Sequence, residues 1–180
     1  MAWTVPMTFA DNNVLTAAQL NTHLRDNLLE TAPAKATVNG GGWFINQGPY
    51  KLEERIIKSA RAPSGFIDVT STTYVGMPNG PSVTVETGTD AIVLLACLIG
   101  NNTIDTTTNM SFAVTGDTER EPDDKHSVQT AGLAANTNAI YGATYYLSDL
   151  NPGVNVFTCK YKVSANLGRF NYRFIGVVPL

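Results

Sequence analysis

Ala91-Ile92-Val93-Leu94-Leu95-Ala96-Cys97-Leu98-Ile99 decides how this chain folds. The run is apolar at every position. It starts after the turn residues Gly88-Thr89-Asp90 and stops at Gly100-Asn101-Asn102. It is about half the roughly 20 residues that a membrane-crossing helix needs. A short apolar run bounded by turns reads as a central strand covered on both faces.

The flanking sequence repeats the β signal. Ser82-Val83-Thr84-Val85-Glu86-Thr87 alternates as a half-buried strand does. Phe66, Ile67 and Val69 begin a strand, which Thr72 to Val75 continues or pairs with. Met110, Phe112 and Val114 alternate with Ser111, Ala113 and Thr115, and a long strand spans Thr137 to Leu147. Phe157, Cys159, Tyr161 and Val163 share one face, with Thr158, Lys160 and Lys162 on the other. In the last strand Phe170, Tyr172 and Phe174 alternate with Arg169, Asn171 and Arg173. Asn79-Gly80-Pro81, Asn151-Pro152-Gly153 and Asn166-Leu167-Gly168 are turns. Roughly eight strands at this spacing predict an antiparallel β-sandwich, a jelly roll, over residues 66–180.

Before the sandwich the pattern changes. Thr16 is a helix N-cap and Gln19, three residues on, completes a capping box. Leu20, Leu24 and Leu28 form one apolar stripe, and Pro33 ends the helix. A helix this short is marginal alone, so it needs a partner surface. Trp3, Val5, Pro6, Met7 and Phe9 precede it as an extended arm. Residues 1–32 therefore read as arm and helix, and 33–65 as a Gly/Pro-rich connector around Gly40-Gly41-Gly42 and Gly48-Pro49. Within the connector, Leu52 to Ile57 suits a short helix or a strand equally well.

Composition narrows the function. The chain has 180 residues, 43% hydrophobic and only 15% charged, with a net charge of -3. It lacks the basic footprint of a nucleic-acid binder. The first residues lack the basic start and apolar run of a signal peptide, and no segment predicts membrane insertion. Cys97 and Cys159 form no CxxC pair and fit buried thiols better than a disulfide. The loop holding Asp117, Glu119, Glu121, Asp123 and Asp124 lacks the glycine and terminal glutamate of an EF-hand, and Arg120 and Lys125 interrupt it. His23 and His126 have no metal-ligand spacing. There is no GxSxG and no phosphate loop. The expectation is a non-enzymatic protein with no cofactor, no metal and no catalytic residue. Trp43, Tyr50, Tyr74, Tyr141 and Tyr145 offer stacking faces for a glycan, although packing uses the same residues.

Trp3-Thr4-x-Pro6 followed by Thr16-Ala17-Ala18-Gln19-Leu20-Asn21-Thr22-His23-Leu24-Arg25-Asp26-Asn27-Leu28 resembles the N-terminus of small virion proteins, minor tail or decoration-type, of tailed phages infecting actinobacteria. Met110 to Gly116, Leu150 to Phe157 and Lys160-Tyr161 are similar to a β-domain of such proteins. The resemblance implies a virion structural protein made in the host cytoplasm. It implies a homotrimer with a tumour-necrosis-factor-like sandwich, docked on the tail or the major capsid protein. Trp3, Phe9, Leu20, Leu24 and Leu28 would form the anchoring interface. Tyr141, Tyr145, Phe157, Tyr161, Phe170, Tyr172 and Phe174 would pack the trimer. The alternative is a receptor- or glycan-binding module of the phage tail, with a host-surface glycan as partner.

Overall fold

The computed structural model describes residues 4, 7–8, 14–29, 31, 35–37, 42–46, 51–104, 106–131 and 134–180. The chain divides into two compact units, residues 1–56 and 57–180.

In the first unit, helix α1 (Ala17–Leu20) runs into a π-helical turn (Asn21–Arg25) and helix α2 (Asp26–Leu28). The capping box is present: the Gln19 amide donates to the Thr16 hydroxyl (3.2 Å), and the Thr16 amide donates to Gln19 Oε1 (2.9 Å). In the wider π turn the Asp26 amide bonds the Asn21 carbonyl, five residues back. The Asn27 side chain takes the His23 carbonyl (3.1 Å), which an α-helical Asn27 amide would use. Strands β1 (Gly42–Asn46) and β2 (Leu52–Ile56) pair antiparallel, Trp43 opposite Arg55. The ambiguous Leu52 segment is therefore a strand.

The second unit is the sandwich. Its strands are β3 (Lys58–Arg61), β4 (Ile67–Val69), β5 (Ser82–Thr87), β6 (Ala91–Asn101), β7 (Thr108–Gly116), β8 (Val128–Thr130), β9 (Asn138–Leu147), β10 (Gly153–Val163) and β11 (Gly168–Pro179). One sheet has the order β5-β10-β7-β8. The other runs β3-β11-β6-β9, with β4 also on β11. Every pairing is antiparallel. From β5 to β11 the chain crosses between the sheets at every step except β7 to β8, giving a jelly-roll sandwich. The fold is thus mainly β, as the alternation predicted.

Two details correct the sequence reading. The connector is not free of sandwich structure, because β3 lies within it and pairs with β11, Ala60 opposite Ile175. Only Ala60 of this strand packs on the core, so side-chain alternation gave no signal. The second correction is a bulge in β11. The register on β6 shifts between Asn171 and Phe174, and Tyr172 has φ 49°. Asn171 Oδ1 accepts from the Tyr172 amide (2.8 Å) and the Gly65 amide (2.9 Å), which fixes the bulge. Phe170 therefore points into the core while Phe174 lies on the outer face, and their expected shared face does not exist. Arg173 turns inward and is buried, its guanidinium carbon 5.9 Å from the Tyr161 ring centroid.

The core lies between the sheets. Val93, Leu95, Cys97 and Ile99 of β6 meet Met110, Phe112 and Val114 of β7, and Phe157, Cys159 and Tyr161 of β10. Phe112 packs on Phe157 (6.1 Å between centroids), and Tyr161 meets Phe170 edge-on (4.9 Å).

Candidate functional site

The outer face of the β3-β11-β6-β9 sheet is the largest anomaly of the sandwich. On β6, the residues facing away from the core are Ile92, Leu94, Ala96 and Leu98, all only partly covered. Register places Tyr146, Thr144, Gly142 and Ile140 of β9 beside them on one flank. Val178, Gly176 and Phe174 of β11 lie on the other, followed by Tyr172 at the bulge. Ile140 is 71% exposed and Tyr172 50% exposed. A sheet face turned to water normally carries polar residues. This one has an apolar centre with charge only at its margins. Arg61 sits at the β3 edge, its guanidinium carbon 5.8 Å from the Phe174 centroid. At one end of the face Tyr146 OH of β9 donates to Asp90, the residue before β6 (2.7 Å). The Thr89 hydroxyl and then Tyr146 hold the Asp90 carboxyl below the usual range. The centre is flat because Gly142 pairs with Ala96 and the Phe174 ring closes over Gly176.

The aromatic residues expected to pack a trimer divide sharply. Phe157, Tyr161 and Phe170 are buried inside the subunit and cannot reach a neighbour. Tyr141 and Tyr145 point inward from β9 and rest against the core, Tyr141 OH accepting from Thr130 (3.2 Å) and Tyr145 OH donating to the Ser127 carbonyl (2.7 Å). Only Tyr172 and Phe174 lie on the outer face. Sequence reasoning missed Ile92, Leu94, Leu98 and Ile140, although the two-sided apolarity of β6 was the signal that could have found them.

In the first unit, Leu20, Leu24 and Leu28 are 41%, 57% and 64% exposed. Thr4 contacts a different helix face: its amide donates to Asn27 Oδ1 (2.9 Å), and its hydroxyl to the Thr22 carbonyl (3.1 Å). The leucine stripe is thus left outward. Trp3 and Phe9, as well as Tyr50, lie outside the described residues. Trp43 is on β1.

A second site lies on the opposite sheet. Lys162 of β10, Asn109 of β7 and Gln129 of β8 form one row across three strands. They line a groove of about 380 Å³ together with Asp124, Thr72, Thr107, Val163 and Ser164. Asp124 is fixed by Lys162 Nζ (2.6 Å) and by Tyr74 OH (2.8 Å). The Lys162 hydrogen bond, followed by that of Tyr74, holds the Asp124 carboxyl below its ordinary range. Burial and then the Asp124 hydrogen bond push the Tyr74 phenol up. Lys162 Nζ also stands 4.8 Å from the Tyr74 ring centroid.

The acidic loop is held by pairing within the protein. His126 Nδ1 lies 2.8 Å from Asp123 Oδ1, and Arg120 Nη2 lies 3.7 Å from Asp123 Oδ2. Burial alone would raise the Asp123 carboxyl, but His126 and Arg120 outweigh it and hold it low. Among the described residues no three His, Cys, Asp or Glu side chains gather as metal ligands. Cys97 and Cys159 are free and buried. Burial pushes the Cys97 thiol up to about 12 and raises Cys159 as well, so both are poor nucleophiles. Among the described residues no helix is long and apolar enough to cross a membrane.

No family model and no curated protein matches the chain. Among solved structures it is similar to VP2 of the infectious bursal disease virus subviral particle, with a TM-score of 0.49 and 7% identity over 75% of this chain. It is also similar to Eiger TNF from S. frugiperda, with a TM-score of 0.44 and 14% identity, covering 69% of this chain and 92% of that one. A third is a carbohydrate-binding module from Cellvibrio mixtus lichenase 5A, with a TM-score of 0.32 and 14% identity over 68% of this chain and 97% of that one. The chain spans 37% of the VP2 chain, little more than a third of its length.

Proposed function

We propose that this protein is a non-enzymatic structural component of a phage virion, a homotrimer whose sandwiches pack through the outer face of the β3-β11-β6-β9 sheet. The observation that carries this reading is the apolar centre of that face, with Leu94, Leu98, Ile140 and Phe174 half-covered or exposed in the single chain. Apolar centre and charged rim are the anatomy of a subunit contact. The N-terminal sequence resemblance supports a place on the virion.

The leucine stripe supports the second part of the reading. Leu20, Leu24 and Leu28 face outward from a helix too short to persist unaided. That stripe docks the protein on the tail or the major capsid protein, leaving the sandwich to project. Electron microscopy of particles carrying a labelled chain tests this. The full chain is expected at a threefold position, and the chain without residues 1–32 is expected to be missing from particles. Failure to find the full chain on virions contradicts the structural role, and incorporation of the shortened chain contradicts the anchor.

A further inference from the structure

The β10-β7-β8 row has the makings of a ligand site unrelated to assembly. We propose that the groove over Lys162, Asn109 and Gln129 binds an uncharged, hydroxyl-rich ligand, a sugar unit of a saccharide.

Three observations carry this. The first is volume: about 380 Å³ falls at the small end of the range for pockets that hold small molecules. The second is charge. The groove contains one carboxylate and one ammonium, Asp124 and Lys162, already joined at 2.6 Å. They cancel, so the groove attracts neither a phosphate nor a cation. The pair still has donor and acceptor positions to offer a neutral hydroxyl. The third is placement. Antiparallel register fixes Lys162, Asn109 and Gln129 side by side on rigid strands. Asn109 is buried and its amide donates to Gln129 Oε1 (3.3 Å), which orients both side chains. Ser164 Oγ is set at the rim by accepting from the Thr107 amide (2.9 Å). Amide, carboxylate, ammonium and hydroxyl groups held in one shallow row match vicinal hydroxyls, each of which donates and accepts. Tyr74 fixes Asp124 from one side and carries Lys162 over its ring.

The groove lies on the sheet opposite the assembly face, so it stays open when copies pack. Its test is therefore independent of the trimer. Isotope-labelled full-length protein is titrated with D-glucose, D-mannose and N-acetyl-D-glucosamine, each also as its trisaccharide, while amide NMR signals are followed. Inorganic phosphate serves as the charged probe. At least one sugar is expected to shift the side-chain amides of Asn109 and Gln129 saturably. A trisaccharide that binds more tightly than its free sugar points to a glycan chain as the source, and equal binding points to a free sugar. Gln129→Ala, at an exposed position, is expected to weaken that binding roughly fivefold, the loss of one hydrogen bond. Thr158→Ala, on the same face outside the groove, is expected to leave it unchanged. The proposal is overturned by no saturable shift with any of the six saccharides up to about 0.1 M. Shifts confined to other regions, Q129A binding as wild type does, or phosphate alone binding overturn it equally.

Discussion

At the scale of single residues, burial separates side chains that hold the fold from side chains left on the surface. Phe157 has no exposed surface and packs on Phe112. Phe157→Ala is expected to lose about 3–5 kcal/mol of folding stability, read from urea unfolding. A loss near zero would mean that the ring is not in the core. Asp123 and Asp124 report on pH. Both carboxyls are held low in the folded chain, Asp124 by Lys162 and Tyr74, Asp123 by His126 and Arg120 against its own burial. A depressed carboxyl stabilises the fold above its unfolded value, about 3.9, and this contribution is lost as pH falls through the folded value. The urea midpoint is thus expected to hold from neutral pH to about 5 and to drop below about 4. Asp124→Asn should shallow that drop, and an unchanged acid profile in D124N would argue against the Lys162 pair as a stabilising contact.

At the scale of elements, β6 explains both what the sequence made legible and what it hid. Its two-sided apolarity marked a central strand covered on both faces; it does lie between β11 and β9, but its outer face, Ile92, Leu94, Ala96 and Leu98, is only partly covered in the single chain. The alternation in β5 and β10 likewise gave the correct inward faces, including Phe157, Cys159, Tyr161 and Val163. β3 was hidden because backbone pairing with β11, not side-chain pattern, makes it a strand. β8 was hidden because three residues hold too little alternation to read. The bulge at Asn171–Phe174 inverted the faces after Phe170, and no local residue pattern announces such a shift. Of the candidate assembly residues, Tyr172 and Phe174 were named from sequence, whereas Ile140 needed the pairing of β9 with β6 to be found. Ile140→Asp puts a charge on the apolar outer face without touching the core. The variant is expected to keep the β-sheet circular dichroism and melting of a folded sandwich but to run as a single chain in size-exclusion chromatography. Retention of the wild-type elution volume would remove this face from the contact.

At the scale of the whole molecule, the two outer faces of the sandwich have different characters. One is apolar at its centre, with Arg61 at its β3 edge, and the other carries a neutral hydrogen-bonding groove. In the proposed assembly a subunit packs through the first face and presents the second outward, and the exposed leucine stripe of the first unit is the proposed point of attachment. Sedimentation equilibrium of the purified full-length protein tests the packing claim most directly. One chain weighs 19.3 kDa, so the account predicts a mass of about 58 kDa that persists on dilution to low micromolar concentration. A mass of 19.3 kDa across that range would contradict it.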